Sequence, residues 1–169
     1  MPQVDSNYTP PFLFRNGHFA TIYSGIIRSV NGVVQKRERL NLSDGDFLDL
    51  DWSDSESPTQ KLNYRGCSGE PNKMYRSYHS GATEDLIEVL DHILNTRSYS
   101  EIYLKGFSLG GNLLLKYLGE GNEVPKELKG AVAVSVPCNL YDSCKQLLST
   151  KNIMYAIRFK GNLLGKLKE

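Results

Sequence analysis

Gly106-Phe107-Ser108-Leu109-Gly110-Gly111-Asn112 is the stretch on which the fold turns. Ahead of it, Glu101-Ile102-Tyr103-Leu104-Lys105 reads as a short strand. Behind it, Leu113-Leu114-Leu115-Lys116-Tyr117-Leu118 reads as a helix that stops at Gly119. A G-x-S-x-G pattern between a strand and a helix puts the serine on a sharp, strained turn with its hydroxyl clear of the backbone. Glycines on either side let strand and helix approach without a Cβ clash. The helix N-terminus brings a positive dipole end and free N–H groups to the same place. Ser108 is therefore the candidate nucleophile, and the backbone N–H of Leu109 a candidate oxyanion donor. A glycine-rich turn that needs small residues only for packing has the same spacing; the flanking strand and helix favour the nucleophile.

The totals bound what surrounds this turn. The chain has 169 residues, enough for one domain with a real core, and 20 Lys+Arg against 19 Asp+Glu. No basic excess points to nucleic acid, and Lys36-Arg37-Glu38-Arg39 carries its own acid, as a solvated face does. Cys67, Cys138 and Cys144 are odd in number and have no metal-ligand spacing, which fits a reducing, cytoplasmic setting. The Met1 start lacks a signal-peptide pattern, and no apolar run has the length of a membrane span. A peripheral membrane contact stays open.

Working outward, residues 1–20 are expected to be irregular because Pro2, Pro10 and Pro11 discourage helix, with Phe12, Phe14 and Phe19 free to pin the segment to a core surface. His18 follows an Asn-Gly turn signal and is expected to make a structural hydrogen bond. Residues 34–52 read as a β-hairpin turning at Ser43-Asp44-Gly45-Asp46. Phe47, Asp49 and Asp51 then face one side and Leu48, Leu50 and Trp52 the other, with both acids on the solvent face. Residues 53–61 read as a polar loop, and Leu62-Asn63-Tyr64-Arg65-Gly66 as the tail of a strand. Thr83, Glu84 and Asp85 open a helix in which Leu86, Val89, Leu90, Ile93 and Leu94 recur at helical spacing. His79 is expected to serve a cap or turn before it, and His92 to be exposed and inert. Gly130 to Pro137 is a continuous small-apolar strand, as a buried parallel sheet requires. Asp142 follows the strand end at which α/β sheets bind ligands. Residues 151–169 form an amphipathic helix or two, either packed on the domain or acting as a lid or membrane-facing element. Strands alternate with helices from Leu62 to Pro137, so the class is α/β with a parallel sheet.

Several long strings resemble one family. They are Pro11 to His18, Asp44 to Trp52, Asn63-Tyr64-Arg65-Gly66-Cys67-Ser68-Gly69-Glu70-Pro71-Asn72, Tyr78 to Asp85, Gly106 to Asn112, and Val134 to Cys138. In this order they resemble the α/β-hydrolase superfamily, and within it the YheT-like branch of esterases and lipases. The resemblance implies an α/β-hydrolase fold: a mostly parallel sheet with flanking helices and an N-terminal antiparallel hairpin. It implies a Ser-Asp-His hydrolase of carboxylic esters, with some relatives acting on phospholipids. Ser108 would be the nucleophile, and the oxyanion would be held by the N–H of Leu109 and a second N–H from the loop after the third strand. The substrate would be a small-molecule ester or a lipid; no cofactor and no metal are implied, and the oligomeric state stays open.

Two departures shape the expectation. The family sets a strand, a loop and a helix between the hairpin and Asn63-Tyr64-Arg65-Gly66, whereas only residues 53–61 stand there in this chain. Roughly forty residues, the size of such a unit, are missing, and the second oxyanion donor lies among them. The family order is nucleophile, acid, histidine. His18, His79 and His92 all precede Ser108, and Asp142 is the stand-in for the acid. The expected organisation is one partial α/β-hydrolase domain over 1–169 with a truncated core. Its parts are an N-terminal extension (1–33), the hairpin (34–52), an α/β core (62–150) and the start of a lid-like helical region (151–169). Such a chain is expected to be an impaired serine esterase or, alternatively, a non-catalytic binding or regulatory protein.

Overall fold

A computed structural model describes residues 4–53 and 58–166. The chain forms two units, divided between Val34 and Gln35. In the first, Phe12–Arg15 makes a 3-10 turn and Gly17–Ile22 forms helix α1, which runs on as a wider turn over Tyr23–Ile27. The expected irregularity up to residue 20 is thus corrected. Pro10 and Pro11 precede the helix instead of interrupting it. The Asn16 side chain caps α1, accepting from the N–H groups of His18 (3.0 Å) and Phe19 (3.1 Å). Within this unit Phe14 packs against Phe19 and, edge-on, against Tyr23, with ring centroids 5.5 and 5.1 Å away, while Phe12 is exposed.

The second unit opens with strands β1 (Gln35–Asn41) and β2 (Phe47–Ser53), paired antiparallel with Arg37 opposite Asp51 and Arg39 opposite Asp49. The Asp-Gly turn joins them because Gly45 takes a φ of 89°, a left-handed value that glycine adopts without a Cβ penalty. Strand β3 (Thr59–Asn63) then pairs antiparallel with β2, in the order β1-β2-β3. The polar loop expected over 53–61 is therefore shorter: Ser53 and Thr59 to Lys61 are strand, and 54–57 lie outside the described residues. The reason is steric. Five residues between β2 and β3 permit a return beside the same strand but cannot make the crossover that parallel pairing needs.

Helix α2 (Thr83–Thr96) leads to β4 (Ile102–Phe107), α3 (Leu109–Gly119) and β5 (Leu128–Val134). β4 and β5 are parallel, and among the described strands they are the parallel pair; the strand–helix–strand alternation holds here. Val89 and Ile93 of α2 meet Leu48, Leu50 and Trp52 of β2 in one core cluster. Leu86 and Leu90 meet Leu113 and Tyr117 of α3 in a second, against which Leu104 and Leu128 pack. The apolar stripe read from the sequence thus faces two neighbours, and α2 joins the two sheets. After β5 the chain forms α4 (Leu140–Leu147), a 3-10 turn at Thr150–Asn152 and α5 (Ile153–Lys166). α4 was not anticipated; Asn139 caps it by accepting from the N–H of Asp142 at 3.1 Å.

Candidate active site

Ser108 sits between β4 and α3 with φ 49° and ψ −115°, a conformation that costs a residue with a Cβ of the order of 1–3 kcal/mol. Its N–H donates to Val134 O at 2.9 Å, which ties the turn to the end of β5. Its carbonyl accepts from the N–H groups of Gly111 (2.9 Å) and Asn112 (3.1 Å), so the helix starts on the serine's own backbone. The side chain is left exposed. Leu109 is the first helical residue, and its N–H belongs to the set that has no partner inside a helix.

The turn closes only because its neighbours are small. A Cβ on Gly106 would strike the carbonyl of Gly110 and come within 2.8 Å of Gly111 Cα. One on Gly111 would run into Val136 Cγ2, at the mouth of β5. Asn112 in the first turn of α3 donates through Nδ2 to Pro137 O at 3.2 Å, a second tie to the segment after β5. Tyr64 brings its hydroxyl beside Gly110 and stacks on Tyr78, with ring centroids 5.2 Å apart. Burial pushes the Tyr64 phenol above its ordinary pKa.

The other candidates are engaged elsewhere. Asp142 is exposed in the first turn of α4, and its carboxylate accepts from Asn139 Nδ2 at 2.6 Å. This is a capping arrangement. Among the described residues no hydrogen bond links Asp142 to Ser108; the hydrogen bonds of Asp142 go to Asn139. His79 accepts the N–H of Gly81 on Nδ1 at 3.1 Å, within the turn before α2. His92 is not the exposed, inert residue expected: its Nε2 meets Glu38 Oε1 at 2.7 Å, half-buried between α2 and β1. Burial pushes the Glu38 carboxyl up, but hydrogen bonds from His92 and Arg97 outweigh it and hold the group below its ordinary pKa. His18 belongs to the first unit, where it lies exposed on α1. Among the described residues no cluster of His, Cys, Asp and Glu could hold a metal ion.

A buried ionic framework escaped the sequence reading. Asp49 and Asp51 are buried on β2, a correction to the expected solvent face. Arg37 on β1 forks onto Asp51 at 2.7 and 3.1 Å, and Arg39 onto Asp49 at 2.8 and 3.0 Å while also reaching Glu70. The hydrogen bonds from Arg37, then from Asn63, bring the Asp51 pKa down to about 2. Deeper still, Arg65 holds Asp85 at 2.7 and 2.9 Å and reaches Asp44 and Asp46 at 2.7 and 3.1 Å. Asp46 also accepts the N–H of Phe47 and of Lys73, both at 2.9 Å. The conspicuous signal was Arg65 within Asn63-Tyr64-Arg65-Gly66, next to a turn with two aspartates. Sequence gives no register, and only register makes each arginine face its acid.

The family model for the alpha/beta hydrolase fold matches residues 61–152, from β3 through the serine turn to the 3-10 turn after α4. The chain belongs to the α/β-hydrolase family. Its relatives include the Escherichia coli (strain K12) protein named "Putative esterase YheT", 32% identical over 78% of this chain and 49% of that protein. Phospholipase ABHD3 of Homo sapiens is 27% identical over 87% of this chain and 45% of its own length. Monoacylglycerol lipase of Saccharomyces cerevisiae is 32% identical over 53% of this chain and 20% of its own length. No solved structure matches. The chain spans about half the length of the first two of these relatives. The E. coli alignment runs over 168 residues while engaging 78% of a 169-residue chain. That relative therefore holds residues inside the matched span that have no counterpart here. Among the described residues, no helix is long and apolar enough to cross a membrane.

Proposed function

We propose that this chain carries the nucleophile half of a hydrolase acting on carboxylic esters, with an ester or lipid as substrate and Ser108 as the attacking residue. The observation that carries the reading is the serine turn: a non-glycine residue at φ 49° between β4 and α3, exposed, with glycines where any Cβ would collide. The relatives' names, an esterase, a phospholipase and a lipase, support the substrate class. In the reaction Ser108 Oγ attacks the ester carbonyl carbon as its proton passes to a general base. The negative oxygen that develops lies against the N–H of Leu109, with the α3 dipole behind it. The C–O bond to the alcohol then breaks, the alcohol leaves with the proton, and water releases the acid from the acyl-serine. Tyr64 brings its hydroxyl close beside Gly110 at this helix N-terminus.

The experiment is fluorophosphonate labelling of the purified protein, read by intact mass and by peptide mapping. One adduct on the Ser108 peptide, absent in Ser108→Ala, supports the hydrolase. A folded protein that takes no adduct overturns it. The second reading, a binding protein built on the same fold, is favoured by the engagement of Asp142, His79 and His92 away from Ser108. It expects no adduct and unchanged ligand binding in Ser108→Ala.

A further inference from the structure

The N–H of Leu109 gives a developing oxyanion one hydrogen bond, and a second donor has to come from what stands beside the turn. Gly111 faces Val136, and Asn112 holds Pro137, so there the segment after β5 closes over the turn. Gly110 faces something else. A Cβ on it would meet, outside its own helix backbone and chain neighbours, one described atom within 4 Å: the Tyr64 hydroxyl oxygen, at 3.5 Å. A Cβ lies about 2.5 Å from the nitrogen of its own residue, so this hydroxyl stands within about 6 Å of the Gly110 nitrogen. One oxygen atom that accepts two hydrogen bonds of about 2.9 Å can span such a separation. The N–H groups of Gly111 and Asn112 donate to the Ser108 carbonyl, which leaves those of Leu109 and Gly110 without an intrahelical partner. Tyr64 is itself held in place. It follows β3 directly, and its carbonyl accepts from the Cys67 N–H at 2.8 Å. The next residue, Arg65, is fixed by Asp44, Asp46 and Asp85. The Tyr64 ring stacks on Tyr78 at an interplanar angle of 14°. Among the described residues its hydroxyl forms no hydrogen bond, and burial, which raises the phenol pKa, keeps the proton on it at neutral pH.

We propose that the Tyr64 hydroxyl is the second oxyanion donor of this chain, acting with the N–H of Leu109; the inference rests on Ser108 as the nucleophile. As Ser108 Oγ bonds to the ester carbonyl carbon, the C=O π electrons move onto oxygen. The Tyr64 O–H and the Leu109 N–H both donate to that oxygen, and the phenol keeps its proton throughout. When the tetrahedral carbon collapses, the electron pair returns to the C–O bond and the bond to the alcohol breaks. The hydrogen bond strengthens as charge builds on the oxygen, so it acts on the rate of the chemical step more than on binding. The preorganisation is in the fold: a strand end, a buried arginine and a stacked ring hold the hydroxyl before substrate arrives. A phenylalanine at 64 keeps the ring and its stack and loses only the donor.

The test is the kinetics with which an alkyl fluorophosphonate labels Ser108 in the full chain. In that reaction Oγ bonds to phosphorus, the P–F bond breaks, fluoride leaves and the serine proton passes to base in the solvent. Tyr64→Phe should lower the limiting labelling rate about tenfold or more, with the half-saturating probe concentration and the thermal midpoint unchanged. A thiono probe, with P=S in place of P=O, puts sulfur where the oxyanion would form, and sulfur accepts hydrogen bonds weakly. With that probe the parent and Tyr64→Phe should label within about threefold of each other. Labelling of Tyr64→Phe at the parental rate overturns the proposal and leaves Ser108 as the nucleophile. An equal loss with both probes also overturns it, because that is what a merely structural role for the hydroxyl gives. A folded parent that takes no adduct removes the hydrolase reading and this proposal with it.

Discussion

β2 and the β4–β5 pair are both strands of one unit, but they are covered very differently. Every residue from Phe47 to Trp52 on β2 is buried. Leu48, Leu50 and Trp52 lie under α2, while Asp49 and Asp51 lie under Arg39 and Arg37. On β4 and β5, α2 and α3 cover one face through Leu104 and Leu128, while Tyr103, Phe107 and Val132 stand exposed. Two strands alone bury little, and their stability has to come from what packs on them. The ion-locked meander therefore anchors the unit, while the strained Ser108 stands at the end of the thinner sheet. Strain is tolerated there because Gly106, Gly111 and the hydrogen bond to Val134 fix the turn.

The contrast breaks most readily at its anchor. Arg65→Met removes a cation from three aspartates, of which Asp46 and Asp85 are fully buried. Leaving buried carboxylates unpaired should cost about 3–5 kcal/mol in urea unfolding. A loss below about 1 kcal/mol would mean that the meander is not what holds the unit. Next comes the turn itself. Gly106→Ala drives a methyl into the backbone of Gly110 and Gly111, and backbone cannot rotate away. The expected cost is about 2–3 kcal/mol, with fluorophosphonate labelling of Ser108 reduced more than about tenfold. Retained labelling would show that the turn relaxes without moving Ser108.

How much of this was legible follows from the range of each interaction. The serine turn, α2 and the Asp-Gly hairpin are local: sterics, a 3.6-residue period and a positive φ at Gly45 each act within a few residues. The sequence reading therefore placed Ser108 and Leu109 on the elements the structure finds. The burial of Asp49 and Asp51 is not local. It depends on Arg37 and Arg39 standing opposite in the register and on the chain near Ser68 and Glu70 lying over them. Alternation correctly put both acids on one face but could not say what covers that face. The partner of Asp142 was hidden for a related reason: the sequence places an acid after the strand end, but only the structure shows Asn139, three residues earlier, engaging it in the cap of α4.

Acid should sharpen the comparison by loosening the anchor first. Asp51 has its pKa brought down to about 2 in the fold, below the roughly 3.9 of an unfolded aspartate. A depressed folded pKa contributes stability that is fully present above the unfolded value and is lost as pH falls through the folded one. Between about pH 4 and pH 2 the protein should lose about 1–2 kcal/mol from this residue, reduced because Arg37 is half-exposed. Asp51→Asn should flatten that part of the curve in denaturant titrations at stepped pH. An unchanged slope would remove Asp51 from the anchor.

The smallest effect concerns the serine alone, and its sign is the informative part. Ser108→Ala keeps a Cβ at φ 49° and so keeps the backbone strain. Ser108→Gly removes the Cβ and should release about 1–3 kcal/mol of it. Glycine also adds freedom to the unfolded chain, which costs about 0.4–1 kcal/mol. Glycine should therefore be more stable than alanine at this position by about 1 kcal/mol, although both lose the fluorophosphonate adduct. Almost everywhere else in a folded chain the order is reversed. If thermal unfolding finds alanine the more stable of the two, Ser108 is not held under strain, and the turn loses the feature that separates a poised nucleophile from a packing glycine loop.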